Sequence, residues 1–226
     1  FISDSYSCRK EKGTHKAMNR FRKFARKVSK NDIRTCWVLK CDIRKFFASI
    51  DQRTLLSIIE KYIPDIRVCA LIKNIVGSFD SGMKGKGLPL GNLTSQLLVN
   101  IYMNEFDQFV KHTLKVRYYI RYSDDFVILS TDHSWLVSLL SRIQDFLREH
   151  LKLELHPKKV SIATLASGVD FLGWVHFPDH RVLRTATKRR MLRALRGSPN
   201  EATLASYLGM LSHGNTQKLA KLIPTI

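Results

Sequence analysis

The alternation of apolar and polar positions along the chain predicts a mixture of helices and short strands. From His15 onward, apolar residues recur every three or four positions with lysines and arginines facing outward, as on an amphipathic helix that ends near residue 30. The same periodicity predicts further helices over residues 51–62, 65–78, 92–112, 135–150, 187–196 and 201–211. Short apolar runs predict strands over residues 35–42, 151–162, 169–177 and 181–184.

The clearest local pattern is a β-hairpin with acidic residues at its tip. Two apolar runs, residues 116–122 and 126–130, flank Ser123, Asp124 and Asp125. A tight hairpin at the centre of the chain joins antiparallel strands, which argues against a doubly wound parallel sheet. The order of elements therefore favours the α+β class, with an antiparallel sheet and helices packed on one face.

Basic residues outnumber acidic ones two to one, with 38 Lys and Arg against 19 Asp and Glu and a net charge of +19. A surplus of this size repels itself in a compact protein unless a polyanion compensates it, so nucleic acid is the expected partner. Residues 9–30 hold ten basic residues and one acid, and form either a strip that touches phosphates or a solvated helix face. A basic protein of ribosomal type would show the same charge, so composition alone does not indicate an enzyme.

Other features argue against a membrane, secreted or metal–thiolate protein. No apolar run approaches the roughly 20 residues that a membrane helix needs, and the first ten residues lack a signal-peptide pattern. The cysteines Cys8, Cys36, Cys41 and Cys69 show no CxxC spacing and no neighbouring histidine cluster. Free thiols without an export signal predict a cytoplasmic protein.

Three carboxylates are candidates for a metal site. Asp42 ends a predicted strand, and Asp124 and Asp125 lie in the hairpin turn. Asp is also a common turn residue, but adjacent carboxylates beside a buried sheet repel each other and cost desolvation, which a cation would relieve. Oxygen ligands without nearby Cys or His suit Mg²⁺. Two such ions, bridged by Asp42 and Asp124 with Asp125 in support, would promote phosphoryl transfer.

The hairpin tip, Tyr122 to Asp125 (YSDD), resembles the YxDD box of reverse transcriptases. Five other segments resemble motifs of the same family: residues 5–17 (SYSCRKEKGTHKA), 42–47 (DIRKFF), 87–96 (GLPLGNLTSQ), 153–160 (LELHPKKV) and 171–174 (FLGW). The resemblance covers about residues 5–215. In motif form it is closest to bacterial retroelement enzymes of the diversity-generating and group II intron-like types.

The resemblance implies a right-hand polymerase palm and RNA-directed DNA polymerase activity. It places part of the fingers in residues 1–34, the palm in 35–180 with a finger-side insertion at 52–86, and the end of the palm with the start of the thumb in 181–226. The implied partners are an RNA template, a DNA or RNA primer and deoxynucleoside triphosphates, with an accessory protein as a further candidate. The implied cofactor is a pair of Mg²⁺ ions, for which Mn²⁺ is a substitute.

The resemblance also assigns roles to individual residues. Phe47 would lie under the sugar of the incoming nucleotide and exclude a 2′-hydroxyl, although a core phenylalanine beside Phe46 is the alternative. Lys159 would neutralise or protonate the departing pyrophosphate. The other nucleotide-binding candidates are Arg9, Ile43, Leu90, Gly91 and Gln96. The candidates for template or primer contacts are Ser95, Tyr122, Phe171, Leu172, Gly173, Arg189 and Arg190.

Three hypotheses stay open at this point: one about copying fidelity and two about alternative functions. This chain has Leu90-Gly91 and Ser95-Gln96 where many relatives have Gln-Gly and Ser-Pro. That form resembles diversity-generating retroelements and leads to the hypothesis of error-prone copying opposite template adenine. A maturase-like protein that binds structured RNA is the second reading, because motifs do not prove activity. An RNA-directed RNA polymerase is the third, and Phe47 counts against it.

Overall fold

The computed structural model describes residues 1–79, 83–89, 91–196 and 200–221. Its helices are α1 Thr14–Ser29, α2 Phe46–Ser49, α3 Gln52–Tyr62, α4 Ile66–Gly77, α5 Leu93–Gln108, α6 His133–Leu151, α7 Thr185–Arg196, α8 Glu201–Leu211 and α9 Gln217–Ala220. Its strands are β1 Trp37–Asp42, β2 Tyr119–Tyr122, β3 Asp125–Ser130, β4 Ser161–Thr164, β5 Val169–Phe171, β6 Trp174–His176 and β7 Arg181–Leu183. A π-helical turn, Phe109–Thr113, continues α5, and a 3₁₀ turn, Leu165–Ser167, precedes β5.

Two antiparallel sheets organise the strands. The first has the order β2-β3-β1-β4, and the second has the order β5-β6-β7. The predicted hairpin is confirmed as β2 and β3, which pair from Tyr119 opposite Ile128 to Tyr122 opposite Asp125. The α+β class with an antiparallel sheet is therefore confirmed.

Apolar residues cover both faces of the four-stranded sheet. One face carries Leu39 and Phe126 and packs against α5 and α6. Apolar residues of α3 belong to the same buried cluster. The other face carries Val38 and Val127 and packs against the apolar stripe of α1. Helices therefore lie on both faces rather than on one, because successive side chains of a strand point to opposite sides and those in the strand centres are apolar on both.

Short polar side chains define where several helices begin. Asp51 accepts a hydrogen bond from the Thr54 amide at 2.8 Å, and Asp132 accepts one from the Trp135 amide at 2.9 Å. Such caps satisfy backbone N–H groups that have no partner within the helix. None of the helices in the described part of the chain combines the length and the apolar content needed to cross a membrane.

The predicted strand over residues 151–162 is wrong in most of its length. Leu151 ends α6, the next segment is a loop, and β4 covers only Ser161–Thr164. Pro157 lacks a backbone N–H and interrupts strand pairing. The loop is nevertheless ordered by its contacts: Leu153 is buried and Leu155 forms an isolated bridge with Ile43.

The buried cysteines behave as small apolar residues. Burial raises the pKa of the Cys36 thiol to about 12, and burial likewise raises the pKa of Cys41. Such thiols stay protonated and unreactive at neutral pH. All four cysteines are free, and the cytoplasmic assignment stays a prediction.

The second sheet is attached to α1 through a buried histidine. The His176 ring lies 4.8 Å from the Phe21 ring, centroid to centroid, and its Nε2 is 3.1 Å from the Phe171 carbonyl oxygen. Burial lowers the pKa of His176 from 6.5 to about 4. The neutral ring is therefore the form that the folded protein accommodates.

We expect His176 to make folding stability depend on pH between about 6.5 and 4. In this window the unfolded chain binds a proton that the folded chain does not, so the free energy of unfolding falls as the pH is lowered. The loss between pH 7 and 4.5 should be about 2 kcal/mol larger in the wild type than in His176→Gln, which does not titrate. Urea unfolding at both pH values measures it, and equal losses in the two proteins would contradict the assignment.

Candidate active site

Strand register brings the first and last of the three predicted carboxylates together. β1 pairs with β3 so that Asp42 lies opposite Asp125, and Asp124 occupies the loop that precedes Asp125. The Ile43 amide donates a hydrogen bond to the Asp124 carbonyl at 3.2 Å, which joins the end of β1 to the loop. Asp42 and Asp125 point to the α1 side of the sheet, where the positions near the hairpin tip are polar rather than apolar.

A lysine from the loop after α6 neutralises Asp42. The His156 amide donates to the Asp42 carbonyl at 2.7 Å, and the Lys159 amide donates to the His156 carbonyl at 3.0 Å. This turn carries the Lys159 Nζ back to both carboxylate oxygens of Asp42, each at 3.0 Å. The predicted catalytic pair of Asp42 and Lys159 is thus in direct contact, although the lysine side chain is half exposed.

Asp125 is less well compensated than Asp42. Its Oδ2 lies 3.9 Å from the Lys40 Nζ, and its Oδ1 is buried without a hydrogen-bond partner among the described residues. Burial, followed by repulsion from Asp42, Asp124 and Asp170, raises the pKa of Asp125 to about 7 against the opposing effect of Lys40. Burial and the charge of Asp42 also raise the pKa of Asp124. The arrangement holds more negative charge than its lysines neutralise.

The three carboxylates fit a hard divalent cation in donor type. An unpaired buried carboxylate oxygen and mutual repulsion are the features that a cation would relieve, and carboxylate oxygens are the ligands that Mg²⁺ prefers. Across the described ranges, no group of three or more His, Cys, Asp or Glu side chains is already arranged to hold a metal ion. Lys159 and Lys40 instead pair with Asp42 and Asp125, so a metal ion would have to compete with them.

Phe47 lies at the edge of the core, one residue beyond a buried phenylalanine. Phe46 is buried, whereas Phe47 is half-buried and meets the Phe46 ring edge-on at 5.5 Å between centroids. The Leu88 amide donates to the Phe47 carbonyl at 2.9 Å, which joins the main chain at Phe47 to the glycine-rich loop. The core position belongs to Phe46, and Phe47 keeps a face available for a ligand.

The segment that opens α5 divides into accessible and buried positions. Gly91 has a φ of +87°, a conformation that L residues rarely adopt, and a Cβ there would meet no atom within 4 Å. Gln96 is half-buried, whereas Ser95 is only 1% exposed, and the template contact of Ser95 stays a prediction. Leu90 lies outside the described residues.

Two other predicted nucleotide-binding residues, Arg9 and Ile43, make contacts within the protein. The Arg9 guanidinium donates to the Ile2 and Ser5 carbonyls at 2.6 and 2.9 Å and thereby holds the N-terminal segment together. The Ile43 side chain is buried in the core, so a contact with nucleotide would be limited to its main chain. The nucleotide-binding role of Arg9 stays a prediction.

The predicted primer-grip turn is a two-residue hairpin between β5 and β6. Leu172 and Gly173 have φ values of 53° and 82°, and Phe171 pairs with Trp174. Leu172 and Tyr122 are half-buried against the same cluster, which brings the turn and the YxDD tyrosine onto one side of the sheet. Phe171 is fully buried in this cluster, and its contact with template or primer stays a prediction.

Helix α7 presents a basic exposed face. Its buried residues are Met191, which packs in an apolar cluster with Trp174 and Leu204, and Thr187. Arg189 and Arg190 are exposed, as are Lys188, Arg193 and Arg196. Their contact with a template–primer duplex stays a prediction that the geometry permits.

Sequence reasoning missed four charged residues around the carboxylates. Lys40 and Asp170 act on Asp125, and Arg121 forms a buried ion pair with Asp107 beneath the hairpin. Lys40 and Arg121 each interrupt an apolar strand, which is the signal that could have revealed them. Asp107 and Asp170 carry no comparable signal in the sequence.

Comparisons with known proteins identify a family for the chain. Residues 1–176 match the family described as reverse transcriptase (RNA-dependent DNA polymerase). Protein YkfC of Escherichia coli is 26% identical, over 89% of this chain and 60% of its own length. The group II intron-encoded protein LtrA of Lactococcus lactis is 26% identical, over 68% of this chain and 36% of its own length. The chain therefore spans less than two thirds of these relatives.

Solved structures share the fold. Telomerase from Candida albicans, in complex with a TWJ fragment of telomeric RNA, superposes with a TM-score of 0.61 at 11% identity, over 93% of this chain and 41% of that one. Apo telomerase from Candida tropicalis gives a TM-score of 0.60 at 10% identity, over 77% of this chain and 36% of that one. The right-hand polymerase fold is thereby confirmed, and the family match shows that this chain belongs to the reverse transcriptases.

Proposed function

We propose that the chain carries the polymerase centre of an RNA-directed DNA polymerase that extends a primer 3′-hydroxyl with deoxynucleotides. The observation that carries the proposal is the juxtaposition of Asp42 and Asp125 across β1 and β3, with Asp124 in the loop between β2 and β3. The relatives' greater length leaves room for other activities in whole proteins of this kind, so the proposal concerns the centre described here.

Asp42, Asp124 and Asp125 would hold the two Mg²⁺ ions of the proposed reaction. Ions at such a centre neutralise triphosphate charge and lower the pKa of the attacking hydroxyl. Asp42, next to Ile43 in the chain, and Asp124, whose carbonyl accepts from the Ile43 amide, would be the main ligands of the ions, and Asp125 would support them. Lys159, displaced from Asp42, would neutralise or protonate the leaving pyrophosphate, because its half-exposed side chain is free to turn outward.

The proposed substrates beyond the nucleotide are an RNA template and a DNA or RNA primer. The net charge of +19 and the exposed arginines of α7 support a polyanionic partner. Tyr122 and the Leu172–Gly173 turn lie on the same side of the sheet as the carboxylates, where a primer end would have to be placed. An accessory protein is compatible with this proposal, but no surface of the described residues identifies one.

A maturase-like role without polymerase activity is the less favoured alternative. A protein that only binds RNA has no need of repelling carboxylates at a buried position, because they cost folding free energy unless a cation compensates them. All three carboxylates, Lys159 and Phe47 are present together. This combination favours the enzyme.

We expect the double variant Asp124→Asn, Asp125→Asn to lose primer extension. Amides cannot supply the negative ligands that hold magnesium, so single-turnover extension of a primer on an RNA template should fall by about a thousandfold. Duplex affinity should stay within about twofold, because the substitutions remove repulsion rather than a phosphate contact. Extension by both proteins would contradict the assignment of the site.

A second double variant, Arg189→Gln, Arg190→Gln, is the control for the same assay, because it alters the proposed duplex contacts and keeps the carboxylates. It should weaken duplex binding and lessen its salt dependence, while extension at saturating duplex stays near the wild-type rate. If the wild type binds the duplex and does not extend it, even with Mn²⁺, the binding-only reading is supported and the proposed activity of this chain is rejected.

Phe47→Ala should weaken discrimination against ribonucleotides. Removal of the ring opens space beside the sugar, and the ratio of kcat/KM values for dATP and ATP should fall by about tenfold to a hundredfold. Phe46→Leu is the matched control, because it alters the neighbouring buried ring and should leave that ratio unchanged. Equal ratios in Phe47→Ala and the wild type would contradict the steric role.

We also propose that copying is error-prone opposite template adenine. The proposal comes from the Leu90-Gly91 and Ser95-Gln96 form of the segment, in which Gln96 is half-buried on the first turn of α5. Misincorporation frequencies opposite each of the four template bases measure it directly. The highest frequency is expected opposite adenine, and equal frequencies at all four bases would reject the proposal.

A further inference from the structure

Arg121 of β2 lies beneath the β2–β3 loop, Ser123–Asp124, which is called the catalytic loop below. It is on the face of the sheet opposite to the carboxylates. Its side chain is only 1% exposed, and all five of its N–H donors have acceptors. Nε and Nη2 donate to the two Asp107 carboxylate oxygens at 2.8 and 2.7 Å. The other acceptors are the Asn100 and Ser5 side chains and the Ser123 carbonyl, at 3.5, 3.2 and 3.0 Å.

The ion pair of Arg121 with Asp107 is not explained by stability alone. Both side chains are buried, and burying two charges costs about as much as their attraction returns, so an apolar pair of similar volume often serves as well. Tyr119 donates a further hydrogen bond to Asp107 at 2.7 Å, and burial raises the pKa of Tyr119 well above its ordinary value, which keeps the hydroxyl protonated. A fully satisfied network of this kind holds a unique geometry.

The contact with Ser123 determines how the loop enters Asp124. Ser123 has a φ of 57°, in the left-handed region that is costly for a residue with a side chain. Its carbonyl belongs to the peptide group that leads into Asp124, so the Arg121 hydrogen bond fixes the plane of that group. The next carbonyl, that of Asp124, accepts from the Ile43 amide. Two consecutive peptide planes of the loop are therefore held from outside it.

The same guanidinium joins the loop to two other parts of the chain. Asn100 lies one turn after Gln96 on α5, and its amide donates to the Gln96 and Ser7 carbonyls at 3.1 and 3.0 Å. The Arg121 main chain also pairs with the N-terminal segment, because its amide donates to the Asp4 carbonyl at 3.0 Å. One buried side chain thus meets α5, the N-terminal segment and the catalytic loop.

We propose that Arg121 is a positioning residue that orients Asp124 by fixing the Ser123–Asp124 peptide plane, with Asp107 as its anchor. The proposal rests on the proposed function, because it gives Asp124 a role in metal binding. Arg121 itself lies on the far side of the sheet and touches neither substrate nor metal. Its loss would therefore lower the rate of chemistry rather than the affinity for nucleic acid.

The test compares three variants with the wild type. Arg121→Lys keeps the charge that balances Asp107 but lacks the planar fork that reaches both Asp107 and Ser123. The double variant Asp107→Leu, Arg121→Met removes both charges and keeps an apolar core, which protects against simple unfolding. Tyr119→Phe is the matched control, because it removes a hydrogen bond from the same Asp107 without touching the loop.

Four measurements are made on each protein: thermal unfolding, duplex binding, steady-state nucleotide incorporation over a range of nucleotide concentrations, and Mn²⁺ binding followed by electron paramagnetic resonance. We expect kcat to fall about a hundredfold in Arg121→Lys and in the double variant, in proportion to a displacement of about 1 Å at the reacting centre. Duplex affinity and nucleotide KM should change by less than about threefold, and Mn²⁺ affinity should fall about tenfold. Tyr119→Phe should keep the wild-type rate even if its melting temperature falls.

The outcomes separate this inference from the proposed function. If the wild type binds Mn²⁺ and incorporates nucleotides, and the folded double variant does so equally well, Arg121 has no positioning role and the inference is overturned. If Tyr119→Phe loses as much activity as Arg121→Lys, general weakening of the core explains both and the inference is again overturned. If Asp124→Asn binds Mn²⁺ as well as the wild type, the proposed metal site itself is wrong.

Discussion

The antiparallel pairing of β1 with β3 is the interaction on which the site depends. It places Asp42 opposite Asp125 and lets the end of β1 hydrogen-bond to the loop that contains Asp124. A shift of one residue in this register would turn one carboxylate to the other face of the sheet, toward α5 and α6. The apolar residues on both faces resist such a shift, because each face is packed against helices. Core packing thus maintains the geometry of the polar residues at the end of these two central strands.

Charge that is left uncompensated is the second feature of the site. Lys159 and Lys40 offset part of the charge of the three carboxylates, and burial together with repulsion from the neighbouring aspartates still raises the pKa of Asp125. A protein selected only for stability would replace such a cluster. Three carboxylates at a half-buried position favour a site whose full neutralisation comes from bound cations, at a cost in stability without them.

Support for the loop comes from beneath the sheet. Arg121 and Asp107 form a buried ion pair, and Arg121 also donates to the Ser123 carbonyl, next to Asp124. On the opposite face of the four-stranded sheet, α1 packs against the β5–β6 hairpin through the rings of Phe21 and Phe171. The β2–β3 hairpin is therefore packed on both faces, by α5 and α6 on one side and by α1 on the other.

The sequence alone determined the α+β class, the hairpin with acids at its tip, most of the helices and the membership of the reverse transcriptase family, because these follow from local periodicity and short motifs. Only the tertiary structure decided that α1 covers a second sheet face and that residues 152–160 form a loop over Asp42. It also turned Ser95 and Phe171 inward and brought Lys40 close to Asp125 and Arg121 to the Ser123 carbonyl. These depend on which face of an element meets its neighbour, and that is set by contacts between residues far apart in the chain.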